Sequence, residues 1–258
     1  MERFNFKKKY GQNFLNNDNI LNKISSSICV SEKDKIIEIG PGAGALTKKL
    51  VKLGCDVIAF EIDTTLKDFL DKIEYNNLTV IYNDFLNVNL SDYFNEDQKL
   101  FVVANIPYYI TTPIISKFIK ENYVPESMVL MVQKEVAERL SSKCHNSDYG
   151  AITVILNYFF DIHYLFTVDR NNFYPIPKVD SAVIKLDKKH NKKIVNDYEK
   201  FETLVYNAFK QKRKNLKNNL MNYDLSKIEI ILKKYSLDLT NRAEDLDYEV
   251  FVEIANNL

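Results

Sequence analysis

Short apolar segments alternate with helical patterns through the first half of this 258-residue chain, and each segment closes on a glycine or a polar residue. Lys35–Ile39 runs into Gly40-Pro41-Gly42-Ala43-Gly44, Asp56–Phe60 into Glu61, and Leu78–Tyr82 into Asn83-Asp84. Leu100–Ala104 runs into Asn105, and Met128–Val132 into Gln133. Between them Leu46, Leu50, Val51 and Leu53, then Leu66–Ile73, then residues 112–122, recur at helical spacing. Strands so short and so uniformly apolar need both faces covered, which means βαβ units and a parallel sheet. Residues 133–158 read as two further helices. Asp161–Val168 and Ser181–Leu186 read as a closing antiparallel hairpin, for about seven strands in all. Ahead of the sheet, Ile20, Leu21, Ile24 and Ile28 form one more helical face.

The pattern changes near residue 188. Lys188, Lys189, Lys192 and Lys193 form a polar linker, and beyond it only helical periods occur. Phe201, Leu204, Val205, Ala208 and Phe209 make one face. Ile228, Ile231, Leu232 and Tyr235 make a second, and Val250, Phe251, Ile254 and Ala255 a third. The expected organisation is an α/β domain over 1–187 and a small all-helical C-terminal domain over 188–258.

Composition excludes several classes. With 46% hydrophobic and 27% charged residues the chain is neither disordered nor fibrous. Cys29, Cys55 and Cys144 are odd in number and form no CxxC pair, which argues against a disulfide framework and a structural zinc site and fits a reducing cytoplasm. No stretch reaches the ~18 apolar residues of a membrane span, and residues 1–15 lack the apolar core of a secretory signal. Lys+Arg and Asp+Glu are both 35, so a uniformly basic nucleic-acid binder is excluded. The charge is nonetheless uneven. Residues 188–217 hold ten Lys and Arg against three Asp and Glu, residues 218–258 four against eight, and residues 1–11 four against one. Basic stretches therefore flank the α/β domain on both sides, although a solvated linker and an exposed helix face would look the same.

Four features carry chemistry. Glu38-Ile39-Gly40-Pro41-Gly42-Ala43-Gly44 follows a strand and opens a helix. Glycines there let the backbone approach a ligand with no Cβ in the way. The spacing is GxGxG rather than the dinucleotide GxGxxG, and a plain tight turn would also use glycines. Glu61 and Asp84 end the next two strands. A carboxylate at the first suits the two hydroxyls of a ribose, and one at the second can accept from an adenine amino group. Either alone could be a helix N-cap. Asn105-Ile106-Pro107-Tyr108 ends the fourth strand. An aromatic amine attacks only as its nitrogen pyramidalises, and two acceptors aimed at its N–H bonds favour that geometry and the developing positive charge. The Asn105 side-chain oxygen and the Ile106 carbonyl can be those acceptors. Pro107 stiffens the turn, and Tyr108 can stack on the base. Last, Phe173-Tyr174-Pro175-Ile176-Pro177-Lys178-Val179-Asp180 offers Phe173, on a proline-stiffened loop, as a second wall for a flipped base. A hairpin loop with a buried Phe is its plainer reading.

In this order the motifs resemble the rRNA adenine dimethyltransferases, and within them the KsgA/RsmA family of the small ribosomal subunit. The matching segments are YGQNFL at 10–15, EIGPGAG at 38–44, NIPYYI at 105–110, VQKEVAERL at 132–140, FYPIPKVDSAV at 173–183, FKQKRKNLKNNL at 209–220 and RAEDL at 242–246. They span essentially the whole chain. The resemblance implies a seven-stranded Rossmann-like S-adenosylmethionine methyltransferase sheet with a small helical C-terminal domain. It implies that Asn13, Leu15, Gly40, Gly42, Glu61, Asp84 and Asn105 hold the cofactor, S-adenosylmethionine, which leaves as S-adenosylhomocysteine, with no metal. Asn105, Ile106, Pro107, Tyr108 and Phe173 would face the target base. The implied substrate is a pair of adjacent adenosines near the 3′ end of 16S rRNA within the assembling 30S subunit, each dimethylated on N6. Arg3, Lys7, Lys8, Lys9, Lys210, Lys212, Arg213, Lys214 and Lys217 would contact its backbone. The expected protein is a cytoplasmic monomer with no membrane contact.

The chain departs from the family at Tyr109, where a polar amide commonly follows NxPY. The NIPY core is shared with large-subunit enzymes that confer macrolide resistance, whereas FKQKRKNLKNNL and RAEDL favour the small-subunit family. A ribosome-assembly binding factor with incidental catalysis is a further alternative. A nicotinamide oxidoreductase is disfavoured by the glycine spacing and by the lack of a His or Lys placed for hydride chemistry. Cys144-His145 lacks further metal ligands nearby in sequence and reads as a surface loop.

Overall fold

The computed structural model describes residues 13–95, 98–105 and 110–258. Arg3, Lys7, Lys8, Lys9, Ile106, Pro107, Tyr108 and Tyr109 lie outside the described residues. The strands are β1 (Phe14–Leu15), β2 (Lys35–Ile39), β3 (Asp56–Phe60), β4 (Leu78–Ile81), β5 (Leu100–Asn105), β6 (Ser127–Gln133), β7 (Phe160–Val168), β8 (Phe173–Tyr174) and β9 (Ser181–Lys188). The α-helices are α1 (Asp18–Ser26), α2 (Thr47–Leu50), α3 (Lys67–Leu70), α4 (Thr111–Lys120), α5 (Lys134–Leu140), α6 (Ala151–Phe159), α7 (Tyr198–Ala208), α8 (Leu216–Asn219), α9 (Leu225–Lys234) and α10 (Tyr248–Asn257).

Seven strands form one sheet in the order β4-β3-β2-β5-β6-β9-β7. The pairs β3–β4, β2–β3, β2–β5 and β5–β6 are parallel, and β9 runs antiparallel to β6. The parallel pairing follows from composition: Ile36, Ile37, Val57, Ala59, Val102, Val103, Val129 and Leu130 are all buried, so neither face of the central strands offers a solvated side. The order doubles back at β2, which sits between β3 and β5. Open α/β sheets bind ligands at the carboxyl ends of the strands beside such a reversal.

The crossovers are shorter than their sequence pattern suggests. Residues 46–53 are expected as one helix. Instead α2 gives way to a 3₁₀ turn at Val51–Leu53, which stops at Gly54 with φ of +87°. Tighter turns keep Leu46, Leu50 and Val51 packed on the sheet over a short span. The two-residue pairing of β1 with β8 is new. Phe14 lies opposite Tyr174 and Leu15 opposite Phe173. Strands of two residues carry no measurable period, so no sequence pattern announces them.

Two compact units emerge, Met1–Ala137 with His163–Lys188, and Glu138–Ile162 with Lys189–Leu258. The second includes Glu138–Ile162, which sequence periodicity groups with the α/β part. The reason is the apolar surface of α6. Thr153, Val154, Ile155, Leu156, Tyr158 and Phe159 are all buried, and the helix packs against α7 and α10. Tyr158 meets Phe201 at 5.3 Å between ring centroids, and Phe159 meets Tyr198 at 5.5 Å. The Lys192 ammonium lies 4.0 Å from the Tyr158 centroid, so a linker lysine closes this aromatic cluster.

Candidate active site and its relatives

The glycine loop leaves β2 at Ile39, and Gly40, Gly42 and Gly44 all have left-handed φ values of +71°, +61° and +80°. Two of these positions have no room for a side chain. A Cβ on Gly42 would lie 2.9 Å from the Phe14 ring, and one on Gly44 would collide with Ile73. The Gly40 N–H donates to the Phe60 carbonyl at 3.0 Å, which ties the start of the loop to the end of β3.

Glu61 follows directly on that carbonyl. Its side chain is buried and bridges two segments: Oε2 accepts from the Gly42 N–H at 3.0 Å, and Oε1 accepts from the Asp63 N–H at 2.8 Å. Burial pushes the carboxyl above its ordinary value, while the two backbone donors pull it back toward the ionised form. The strand-end acid and the glycine loop are thus one hydrogen-bonded constellation. Asp84 lies three residues beyond the end of β4 and caps a 3₁₀ turn, accepting from the Leu86 N–H at 3.0 Å and from the Asn87 amide at 3.1 Å. Asn105 is the last residue of β5, half-buried, with its Cα opposite Met131 of β6. Parallel pairing therefore brings Gly40–Gly44, Glu61, Asp84 and Asn105 to the carboxyl ends of four adjacent strands.

Sequence reading missed Glu38 as a site residue. It lies inside β2, is 1% exposed, and its Oε2 has no hydrogen-bond partner. Its carboxyl is pushed up to about 8, first by burial and further by the Glu61 charge. The Thr47 hydroxyl works in the opposite direction, but its oxygen too is buried without a hydrogen bond of good geometry. The signal was available: Glu38 is the one acid in β2 and stands between Ile37 and Ile39. Phe14 was missed as well, because only tertiary structure lays its ring on Gly42.

The remaining expected residues are distributed as follows. Asn13 is half-buried just before β1, and Leu15 is buried in the core beside Phe173. Phe173 is 3% exposed, whereas its neighbour Tyr174 is 62% exposed. Lys210, Lys212, Arg213, Lys214 and Lys217 are all exposed in the second unit, on and around the turn that joins α7 to α8. Among the described residues no group of three or more His, Cys, Asp or Glu is placed to hold a metal ion, and no helix is long and apolar enough to cross a membrane.

A reversed parallel sheet with an antiparallel strand beside its last parallel one, a GxGxG loop bonded to a strand-end acid, and an asparagine ending the next strand define a class, the Rossmann-like methyltransferases. The particular branch follows from comparison. Residues 3–258 match the family model described as ribosomal RNA adenine dimethylase, and the chain belongs to that family. Ribosomal RNA small subunit methyltransferase A of Aster yellows witches'-broom phytoplasma (strain AYWB) is 44% identical over 256 residues, covering 96% of this chain and 94% of the relative. The protein of the same name from Clostridium acetobutylicum is 38% identical over 265 residues, covering 100% of this chain and 96% of the relative. Among solved structures, a dimethyladenosine transferase from Plasmodium falciparum superposes with a TM-score of 0.79 at 29% identity, over 93% of this chain and 95% of that one. The 23S rRNA methyltransferase ErmE superposes at 0.76 and 25% identity, over 95% of this chain and 99% of that one.

Proposed function

We propose that this enzyme transfers methyl groups from S-adenosylmethionine to N6 of two adjacent adenosines in a hairpin near the 3′ end of 16S rRNA, acting as a cytoplasmic monomer on the assembling 30S subunit. The observation that carries this reading is the bond from Gly42 to Glu61, with Asn105 ending the strand on the other side of β2, in a chain whose residues 3–258 match the rRNA adenine dimethylase model. Curated relatives named for the small ribosomal subunit supply the choice of substrate.

The residues present fit the cofactor. A buried carboxyl oxygen on Glu38 and the Thr47 hydroxyl stand unpartnered on the strand and the helix that flank the glycine loop, whose Gly40, Gly42 and Gly44 take left-handed φ values. Gly40 and Gly42 would lie against the cofactor's methionine part, Glu61 against its ribose and Asp84 against its adenine. Asn13 would close over it. Leu15, whose side chain is buried, can contribute only backbone groups. When bound, S-adenosylmethionine supplies a methyl carbon made electrophilic by the positive sulfur, and it leaves as S-adenosylhomocysteine.

The chain itself does the positioning. The Asn105 side-chain oxygen and the Ile106 carbonyl accept the two N–H bonds of the target amine and stabilise its positive charge as the new C–N bond forms. No strong base is needed beforehand, because the attacking amine is neutral. By the family resemblance Tyr108 would stack on the base, and Pro107 would restrict the backbone just before it. Phe173, buried as it is, reaches the base only if β8 shifts. The target must leave its stack at a cost of a few kcal/mol. Contacts to RNA phosphates from Lys210, Lys212, Arg213, Lys214 and Lys217, together with Arg3, Lys7, Lys8 and Lys9, offset that cost and carry little sequence information.

The test is radiolabelled methyl transfer to unmodified small subunits, with large subunits and naked rRNA in parallel. Dimethyladenosine at two adjacent positions of the small-subunit RNA is expected. Label on large-subunit RNA would instead support the reading suggested by the ErmE likeness.

A further inference from the structure

Strand β1 is held to β8 by more than strand pairing. Phe14 lies opposite Tyr174 and Leu15 opposite Phe173, and the two strands form a sheet of their own. A two-stranded ribbon is marginal in water and needs outside support. Part of that support is the burial of Leu15 and Phe173 in one apolar cluster. The rest comes from Asn172. Its carbonyl accepts from the Asn16 N–H at 2.9 Å, and its Oδ1 accepts from Asn17 Nδ2 at 2.8 Å.

These bonds continue in both directions. Asn172 Nδ2 donates to the Asp169 carbonyl at 2.9 Å, which fixes the orientation of the amide. Asn17 Oδ1 accepts from the Asn19 and Ile20 N–H groups at 3.0 and 3.3 Å and so caps α1. Helix α1 is anchored in turn, with Leu21 and Ile24 in the core and Asp18 paired with Lys49 of α2 at 2.5 Å. Both amides are half-buried, so water competes with their bond less than it would at an open surface. Two asparagines 155 residues apart thus fix the segment between β8 on one side and α1 on the other.

That segment is the one laid on the glycine loop. A Cβ on Gly42 would lie 2.9 Å from the Phe14 ring, and Asn13 stands one residue ahead of it. We propose that Asn172 is a positioning residue for S-adenosylmethionine: through Asn16 and Asn17 it keeps Asn13 and Phe14 over Gly42, where the methionine part of the cofactor would lie. Asn172 acts through the segment and not by its own contact with the cofactor. A segment ordered in advance removes part of the ordering cost from the binding step. This role rests on the reaction proposed above and adds a residue to its cofactor site.

The test compares Asn172→Ala, Asn17→Asp and the double variant, with cofactor affinity measured by calorimetry on the full chain. Asn17→Asp keeps the oxygen that caps α1 and removes the donor to Asn172, so the helix is preserved even if Asn172→Ala melts early. Each single variant should bind S-adenosylmethionine about three- to tenfold more weakly, the range expected for one hydrogen bond. KM for the cofactor should rise in step, while KM for small subunits and kcat at saturating cofactor stay within about twofold of the wild type. The double variant should bind no more weakly than the weaker single, because both changes remove the same bond. Cofactor affinity that stays at the wild-type value in both single variants would mean that the amide pair only supports the fold. Losses that multiply in the double variant would mean that the two asparagines act separately. Either result overturns the proposal. A wild type that binds no S-adenosylmethionine would instead overturn the proposed reaction itself, and this role with it.

Discussion

Glu38 shows what a single residue reports about this fold. A carboxyl held at about 8 inside β2 binds its proton more tightly in the native state than in the unfolded chain. Native stability from this group is therefore highest below pH 4–5, falls as pH rises toward 8, and is level beyond. At about 1.4 kcal/mol per unit of separation the loss is of order several kcal/mol. Glu38→Gln removes the ionisation, so urea titrations at pH 6 and pH 9 should show a smaller loss between the two than in the wild type. Equal losses would mean that Glu38 is not the group responsible. Gly44→Ala should lower stability by about 1–3 kcal/mol, because φ is +80° and the new methyl meets Ile73. A thermal melt checks it. Asn105→Ala should keep cofactor and RNA binding but lose turnover, about 10²-fold or more if its oxygen stabilises the developing charge. A near wild-type rate in a single-turnover assay would remove Asn105 from the mechanism. Glu61, Asp84 and Asn105 were legible as strand-end residues because strand ends are set locally by the change from apolar to polar. The burial of Phe173 was not legible, since in an isolated motif an aromatic before a proline reads equally as exposed wall or core.

The turn between α7 and α8 carries its charge on a built scaffold. Asn219 donates from Nδ2 to the Ala208 carbonyl at 2.7 Å, and its Oδ1 accepts from the Gln211 N–H at 3.2 Å, so one amide holds the basic turn from inside. Asn219→Ala leaves every cation in the sequence but should cost about 1–2 kcal/mol of stability and weaken retention on small subunits in a pelleting assay. Charge reversal at Lys212, Arg213 and Lys214 should weaken retention further without changing the melting temperature. Unchanged pelleting in both would show that this turn does not touch the subunit. The periodicity of α7, α9 and α10 was readable from apolar spacing, as were the five parallel strands and the two that close the sheet. The pairing of β1 with β8 was not, because two residues cannot express a period. The breaking of residues 46–53 into a helix and a 3₁₀ turn was equally hidden, since both share the same buried face.

A chain with no net charge that nevertheless binds RNA must do so through local charge, and salt should report it. With the five exposed cations of the second unit engaged on phosphates, retention on small subunits should fall about 10²- to 10³-fold between 50 and 200 mM salt. A flat response in filter or pelleting assays would argue that shape and apolar contacts dominate. The succession of strands and helices, the glycine loop and the acids that end the strands were determined by the sequence alone. Those features arise from local period and from the chemistry of each strand end, which neighbours in the chain are enough to specify. Tertiary structure decided which of those groups meet. It put the Gly42 N–H on Glu61, left Glu38 without a partner, laid Phe14 on the loop, turned Phe173 inward and Tyr174 outward, and drew Glu138–Ile162 into the helical unit. Each of these depends on contacts between residues far apart in the chain. Their cost and gain are set by burial and by hydrogen-bond partners, which exist only once the chain has closed on itself.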